Sequence, residues 1–236
     1  MNDYEADAHA AIDDGKLDLS RGSLGAPSPG SRCGRAGANP PPRRCRRRIV
    51  GKGQGRLQFE SGGADRHCCC GGGRVARQNG GIARSDIFLT TKVWLDNLGA
   101  DKFIPSVNDS LKALQTEYVD LLLIHWPTQA GGVPMSEYLA ELNKTKTQGL
   151  ARKIGVSNFT VAQLQEATNI LGVDNITTNQ IEVHPYLQNI KLRRFMHQQG
   201  IQPTAYMPLA VGKVLKDPVL QDIANRTGHP IPQLVL

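Results

Sequence analysis

Five short apolar runs in the later part of this 236-residue chain each carry polar or ionisable side chains at or near their ends. Lys92 follows IFLTT, His125 follows LLLI, Ser157 and Asn158 follow KIGV, Gln180 lies in ITTNQIE and Tyr206 ends QPTAY. These residue types lend themselves to chemistry. A lysine supplies a cation, a histidine gives or takes a proton near neutral pH, and side-chain amides offer a donor and an acceptor together. Each also has a plainer reading: a lysine at a strand end is ordinarily solvated, and His125 or Tyr206 could be satisfied core residues.

The elements that must position them follow from the pattern of apolar residues. Residues 87–91 read as a strand. Residues 104–114 read as a helix, with Ile104, Val107, Leu111 and Leu114 at helical spacing. The continuous run 121–124 is a fully buried strand, and a helix over 135–148 follows, stopped by Gly149. A third strand covers 154–156, after which Thr160 is the N-cap of a helix running to Leu171. The series continues with a strand at 176–183, a helix at 190–199 closed by Gly200, a strand at 202–206 and a helix at 217–226. Residues 231–236 open another helix. Strands alternating with helices predict an α/β fold with a parallel sheet. No Gly-rich dinucleotide fingerprint follows a strand, so a (β/α)8 TIM barrel is preferred over a doubly wound sheet. Barrel enzymes build their sites at the C-terminal ends of strands, and Lys92, His125, Ser157, Asn158, Gln180 and Tyr206 would converge there.

The segments DIFLTTKVW, YVDLLLIHWP, KIGVSNF, TNQIEVHPY and AYMPL, in this order and at this spacing, resemble the aldo-keto reductase family. GKVLKDP is similar to the bacterial 2,5-diketogluconate and methylglyoxal reductase branch. The resemblance runs from about Gly81 to the end. It implies NADPH-dependent reduction of small aldehydes or keto sugars, with a small-molecule carbonyl substrate. In such enzymes a Tyr protonates the carbonyl oxygen; its free pKa of about 10 makes it a poor acid until a Lys ammonium stands beside it. A buried Asp pairs with that Lys, and a His orients the carbonyl oxygen. By resemblance Lys92 and His125 are two of these four. Ser157, Asn158 and Gln180 would bind the nicotinamide carboxamide, Tyr206 would stack on its face, and Met207 and Leu209 would lie in the loop over the pyrophosphate. Trp94 and Trp126 are candidates for the substrate-pocket wall, where core packing is an equal alternative. Glu182 and His184 receive no chemistry, only packing and hydrogen bonding near a loop.

The same resemblance shows what has no counterpart. The family's first two strands, an Asp-Thr-Ala type segment and a Tyr shortly after it should precede Gly81, but Tyr4, Phe59 and Asp65 are in no such context. The chain stops at Leu236, before the eighth strand and the basic segment that holds the adenosine 2′-phosphate. The expected architecture is therefore an incomplete (β/α)8 barrel, strands 3 to 7 of the family fold over residues 81–236. Open sheet edges would follow. Monomers are usual in the family, but an incomplete barrel has reason to associate.

Residues 1–80 differ in kind. They hold 15 of the 25 Gly, all 5 Cys, and 14 Lys and Arg against 8 Asp and Glu, so +6 of the formal +7 lies here. With little apolar periodicity from residue 22 to 80, they are expected to form a mostly disordered N-terminal segment. A short helix near 7–19 is the one exception. The basic run PPPRRCRRR at 40–48 has no nucleic-acid module around it and reads as a solvated tail, so no nucleic-acid partner is expected. His67 followed by Cys68, Cys69 and Cys70 is poorly spaced for a chelate, so no metal is expected. No run is long enough to span a membrane and no signal peptide opens the chain, which with the cysteine distribution suggests a cytoplasmic protein. The Gly, Arg, Pro and Cys excess resembles GC-rich DNA translated out of frame, with the proper frame resumed near Gly81.

Overall fold

A computed structural model describes residues 83–236 in full and the backbone of 49–53 and 56–60. Its seven strands form one sheet in sequential order: β1 (Ile49–Gly53), β2 (Arg56–Glu60), β3 (Ile87–Val93), β4 (Val119–Ile124), β5 (Ala151–Ser157), β6 (Ile176–Glu182) and β7 (Gln202–Tyr206). β1 and β2 are antiparallel, and every later neighbour pair from β2 to β7 is parallel. Parallel neighbours need crossovers. These carry α1 (Ala100–Leu114), α2 (Met135–Thr147), α3 (Val161–Leu171) and α4 (Ile190–Gln198), while α5 (Pro218–Thr227) and α6 (Ile231–Val235) follow β7. The five parallel strands β3 to β7 with their helices form the expected incomplete barrel.

Two strands, β1 and β2, lie within the 1–80 segment expected to be mostly disordered. RLQFE alternates apolar and polar residues at strand period, and Gln54-Gly55 separates it from IVGKG, a two-residue spacing suited to a hairpin. β2 then lies along β3, with Leu57 opposite Ile87 and Phe59 opposite Leu89. Glycine-rich flanks hid this short pattern. The expectations for the 7–19 helix, the basic run, the cysteines, Tyr4 and Asp65 fall outside the described residues.

The core lies between the strands and their helices. Ile87, Leu89 and Val93 of β3, Leu122 and Ile124 of β4, and Ile154 and Val156 of β5 share a buried cluster with Phe103, Val107, Leu111 and Leu114 of α1, Tyr138, Leu139 and Leu142 of α2, and Leu164 of α3. Strand side chains alternate between faces, so Lys92, Leu123, Gly155 and Ser157 occupy the other, inner face. All six residues of β4 are buried, as the continuous apolar run requires. On the inner face a Cβ at Gly155 would lie 2.6 Å from the Thr178 carbonyl oxygen and 2.9 Å from Leu123 Cδ2. Only glycine fits between β4 and β6 there.

Thr160 caps α3 through a capping box: its hydroxyl accepts from the Gln163 N–H, and the Gln163 side chain accepts from the Thr160 N–H. α1 begins four residues earlier than its apolar spacing indicated: Pro105, its sixth residue, forgoes the one bond to the Asp101 carbonyl, and Phe103 ahead of it is fully buried. At the N-terminal ends of the strands, buried Asp120 accepts from the Leu89 N–H at 2.9 Å and pairs with Arg84 at 2.8 Å and Arg152 at 3.5 Å. Both guanidinium groups sit over the Tyr118 ring, each 4.1 Å from its centre. This cluster ties β3, β4 and β5 at the end of the sheet where stability rather than catalysis resides.

Candidate functional site

At the opposite, C-terminal ends of β3 to β7 the polar side chains meet. Lys92 is the last residue but one of β3 and is 8% exposed. His125 directly follows β4, its N–H bonded to the Val93 carbonyl at 3.0 Å, which fixes it next to the end of β3. The Trp94 ring stands edge-on to the imidazole, centres 4.8 Å apart. Burial first, and the charge of Lys92 second, push the His125 pKa from 6.5 down to about 4, so the imidazole is neutral at physiological pH. Its Nδ1 is buried without a hydrogen-bond partner among the described residues.

β5 and β6 supply the next part. Their register shifts by one residue between Ile154 and Val156, a bulge that sets Ser157 opposite Gln180 rather than Asn179. Ser157, 1% exposed, donates from its hydroxyl to the Gln180 carbonyl at 2.8 Å. Asn158 takes left-handed backbone angles, φ +63°, a strained conformation that asparagine tolerates better than most residues. Its Nδ2 donates to the His125 carbonyl at 3.0 Å and to the Ser157 hydroxyl at 3.1 Å, while its Oδ1 accepts from the Tyr206 hydroxyl at 2.8 Å. One amide thus links the ends of β4, β5 and β7. The Tyr206 pKa is raised, by burial first and by the Glu182 carboxylate second. With its hydroxyl committed to Asn158, Tyr206 is a poorer acid than a free tyrosine.

The structure therefore draws Lys92, Trp94, His125, Ser157, Asn158, Gln180 and Tyr206 to one end of the sheet. Trp126 is 41% exposed, which removes core packing as its role. Met207, at φ +51°, starts a tight turn in which its carbonyl accepts from the Ala210 N–H. Leu209 packs on a small apolar cluster of Ala210, Val214, Ala224 and Ile231. Glu182 and His184 hydrogen-bond at 3.0 Å, and the His184 Nδ1 accepts from the Tyr186 N–H at 3.2 Å, so Nε2 carries the proton that reaches Glu182. They brace a loop, as their segment suggested.

Asn179 escaped the sequence reading. Fully buried, it accepts from the Phe159 N–H at 3.3 Å and donates to the Phe159 carbonyl at 2.9 Å, clamping the residue that follows Asn158. Two adjacent amides in TNQ were the available signal: one serves each face of the strand.

A nicotinamide ring has something to meet here. Asn158 Oδ1 accepts a single described hydrogen bond and can take a second, and the Tyr206 ring is partly exposed. Among the described residues no three His, Cys, Asp or Glu side chains come together as a metal site, and no helix is long and apolar enough to cross a membrane.

A model of the aldo/keto reductase family matches residues 73–231, beginning eight residues ahead of Gly81. The chain is 47% identical over 156 residues to methylglyoxal reductase DkgB of Salmonella typhimurium, covering 66% of this chain and 58% of that protein. A solved structure of a protein assigned as a 2,5-diketo-D-gluconic acid reductase B superposes with a TM-score of 0.68 at 41% identity, over 75% of this chain and 62% of that one. The Bombyx mori aldo-keto reductase, solved in complex with NADP, gives a TM-score of 0.62 at 31% identity over 70% of this chain and 59% of that one. The chain thus spans less than two thirds of the length of each.

Proposed function

Because the chain belongs to the aldo/keto reductase family, we propose that its strand-end site is built for NADPH-dependent reduction of small aldehydes or keto sugars, of the methylglyoxal or 2,5-diketogluconate type. The observation that carries this reading is the hydrogen-bonded string from Tyr206 through Asn158 to the His125 backbone, beside buried Lys92. When bound, a reduced nicotinamide supplies the hydride. Tyr206 offers its ring face to that group, and Asn158, Ser157 and Gln180 hold its carboxamide. Met207 and Leu209 would line the loop over its pyrophosphate. Neutral His125 donates a hydrogen bond to the carbonyl oxygen and orients it, and the Lys92 cation stabilises negative charge developing there. Trp94 and Trp126 wall the substrate side and limit water. The preference for NADPH over NADH is taken from the family and from the relative solved with NADP.

In family members an Asp completes the Lys pair and a Tyr delivers the proton, and neither has a counterpart in the motifs of this chain. Tyr206 does not substitute, since its hydroxyl is engaged and its pKa raised. We therefore propose that this polypeptide reduces carbonyls weakly or not at all while keeping the nicotinamide end of the site, which makes cofactor binding without turnover the second reading. A soluble, cytoplasmic protein is the natural setting for either. The deciding experiment follows NADPH oxidation by the full chain with methylglyoxal. Little oxidation is expected, and robust oxidation abolished by His125→Ala would overturn the inactive reading. For residues 1–80 the out-of-frame origin is testable on the encoding DNA: another frame should yield two apolar strands with the Asp and Tyr. If no frame does, the segment is a genuine replacement.

A further inference from the structure

The loop after β6 makes a contact that neither the core nor the strand-end site requires. His184 and Leu187 bridge each other through their backbones, His184 bonds Glu182, and the Asn189 amide donates to the Glu182 carbonyl at 2.7 Å. The loop is thus anchored on the end of β6. From it projects Tyr186, 40% exposed, whose hydroxyl donates to Asp217 Oδ2 at 2.7 Å across 31 residues of sequence. The other oxygen of Asp217 accepts from the Val219 and Leu220 N–H groups at 2.9 and 3.0 Å, capping α5. The Tyr186 bond is the main reason that Asp217 lies below its ordinary pKa and Tyr186 above its own.

Asp217 ends a segment that leaves β7 beside Tyr206. Within that segment Met207, Ala210, Val211 and Gly212 all have positive φ, three of them without the freedom of glycine. Such a backbone persists only where its surroundings hold it. Its start is held by β7 and its middle by the packing of Ala210 and Val214, while Leu215 beyond Val214 is 44% exposed, so packing offers less toward the end. The Tyr186 hydroxyl joins that end to the loop after β6, and the bond is charge-assisted.

We infer that Tyr186 is a positioning residue: its bond to Asp217 latches the strained 207–217 segment beside Tyr206, and releasing the latch weakens nicotinamide-cofactor binding. The cofactor half of this inference rests on the function proposed above. The experiment compares the full chain with Tyr186→Phe by NADPH titration, thermal melting and amide hydrogen exchange. Loss of one charge-assisted bond is expected to weaken NADPH binding roughly fivefold to tenfold and to speed exchange across 208–217, leaving exchange in β3 to β6 unchanged. Asp217→Asn, which still caps the helix and can still bond the tyrosine, should bind close to the unaltered chain. Tyr186→Phe should add nothing to Asp217→Ala. Unaltered exchange in Tyr186→Phe would overturn the latch. Faster exchange with unaltered affinity would overturn its link to the cofactor. If the unaltered chain binds no NADPH, the cofactor reading itself falls, and exchange alone decides whether the latch exists.

Discussion

Lowering the pH below neutral will destabilise the folded chain through His125. The imidazole titrates near 6.5 when unfolded and at about 4 when folded, because burial and then Lys92 oppose its charge. Between those values the unfolded chain binds the proton and the folded chain does not. The His125 contribution is therefore fully present above pH 6.5 and lost as the pH falls toward 4. A displacement of that size, converted at about 1.4 kcal/mol per pH unit, is roughly 3 kcal/mol, and partial solvent access trims it to about 2 kcal/mol. Carboxylates also contribute to acid unfolding, so the assay is a difference: urea unfolding of the unaltered chain and of His125→Gln at pH 7.5 and 4.5. The glutamine variant should lose about 2 kcal/mol less on acidification. Removing the charge in Lys92→Met should raise the His125 pKa part of the way, readable in the imidazole proton NMR shift. An imidazole titrating near 6.5 in the folded chain, or equal acid sensitivity in the two proteins, would refute the reasoning.

Substitutions at three further positions test the packing and hydrogen bonding that hold the strands together. Gly155→Ala places a methyl 2.6 Å from the Thr178 carbonyl oxygen, and a loss of about 2–3 kcal/mol in urea unfolding is expected for that overpacking; a neutral result would contradict the close strand approach. Asn158→Ala removes the links to His125, Ser157 and Tyr206 and puts a Cβ-bearing residue without a compensating amide at φ +63°, for about 2–4 kcal/mol. Asn158→Gly, which relieves the backbone but not the hydrogen bonds, should recover about 1 kcal/mol of it in the same assay. Asp120→Ala leaves Arg84 facing a buried vacancy and should cost about 3–5 kcal/mol by thermal or urea unfolding.

Much of this architecture was legible because local patterns and tertiary demands agree. The LLLI run is buried on both faces, Thr160 with Gln163 spells a capping box, and Gly149 and Gly200 take the positive φ that ends a helix. The gathering of polar residues at the strand ends was legible for the same reason, since a polar residue closing an apolar parallel strand has few places to go but the mouth of the barrel. What stayed hidden depends on partners remote in sequence. Nothing local says that Asp120 will meet Arg84 and Arg152, that a bulge will turn Gln180 toward Ser157, or that Asn179 will clamp Phe159. β1 and β2 were missed because two five-residue strands in a Gly- and Arg-rich stretch carry too little periodicity to stand out.

We propose that the ends of these strands form a nicotinamide site, and the most direct test is NADPH titration of the full chain followed by the fluorescence of Trp94 and Trp126, alongside Tyr206→Leu. Saturable quenching in the unaltered chain, lost or weakened at least tenfold in Tyr206→Leu, is the predicted result. Absence of saturable binding, or binding indifferent to Tyr206, would contradict the account.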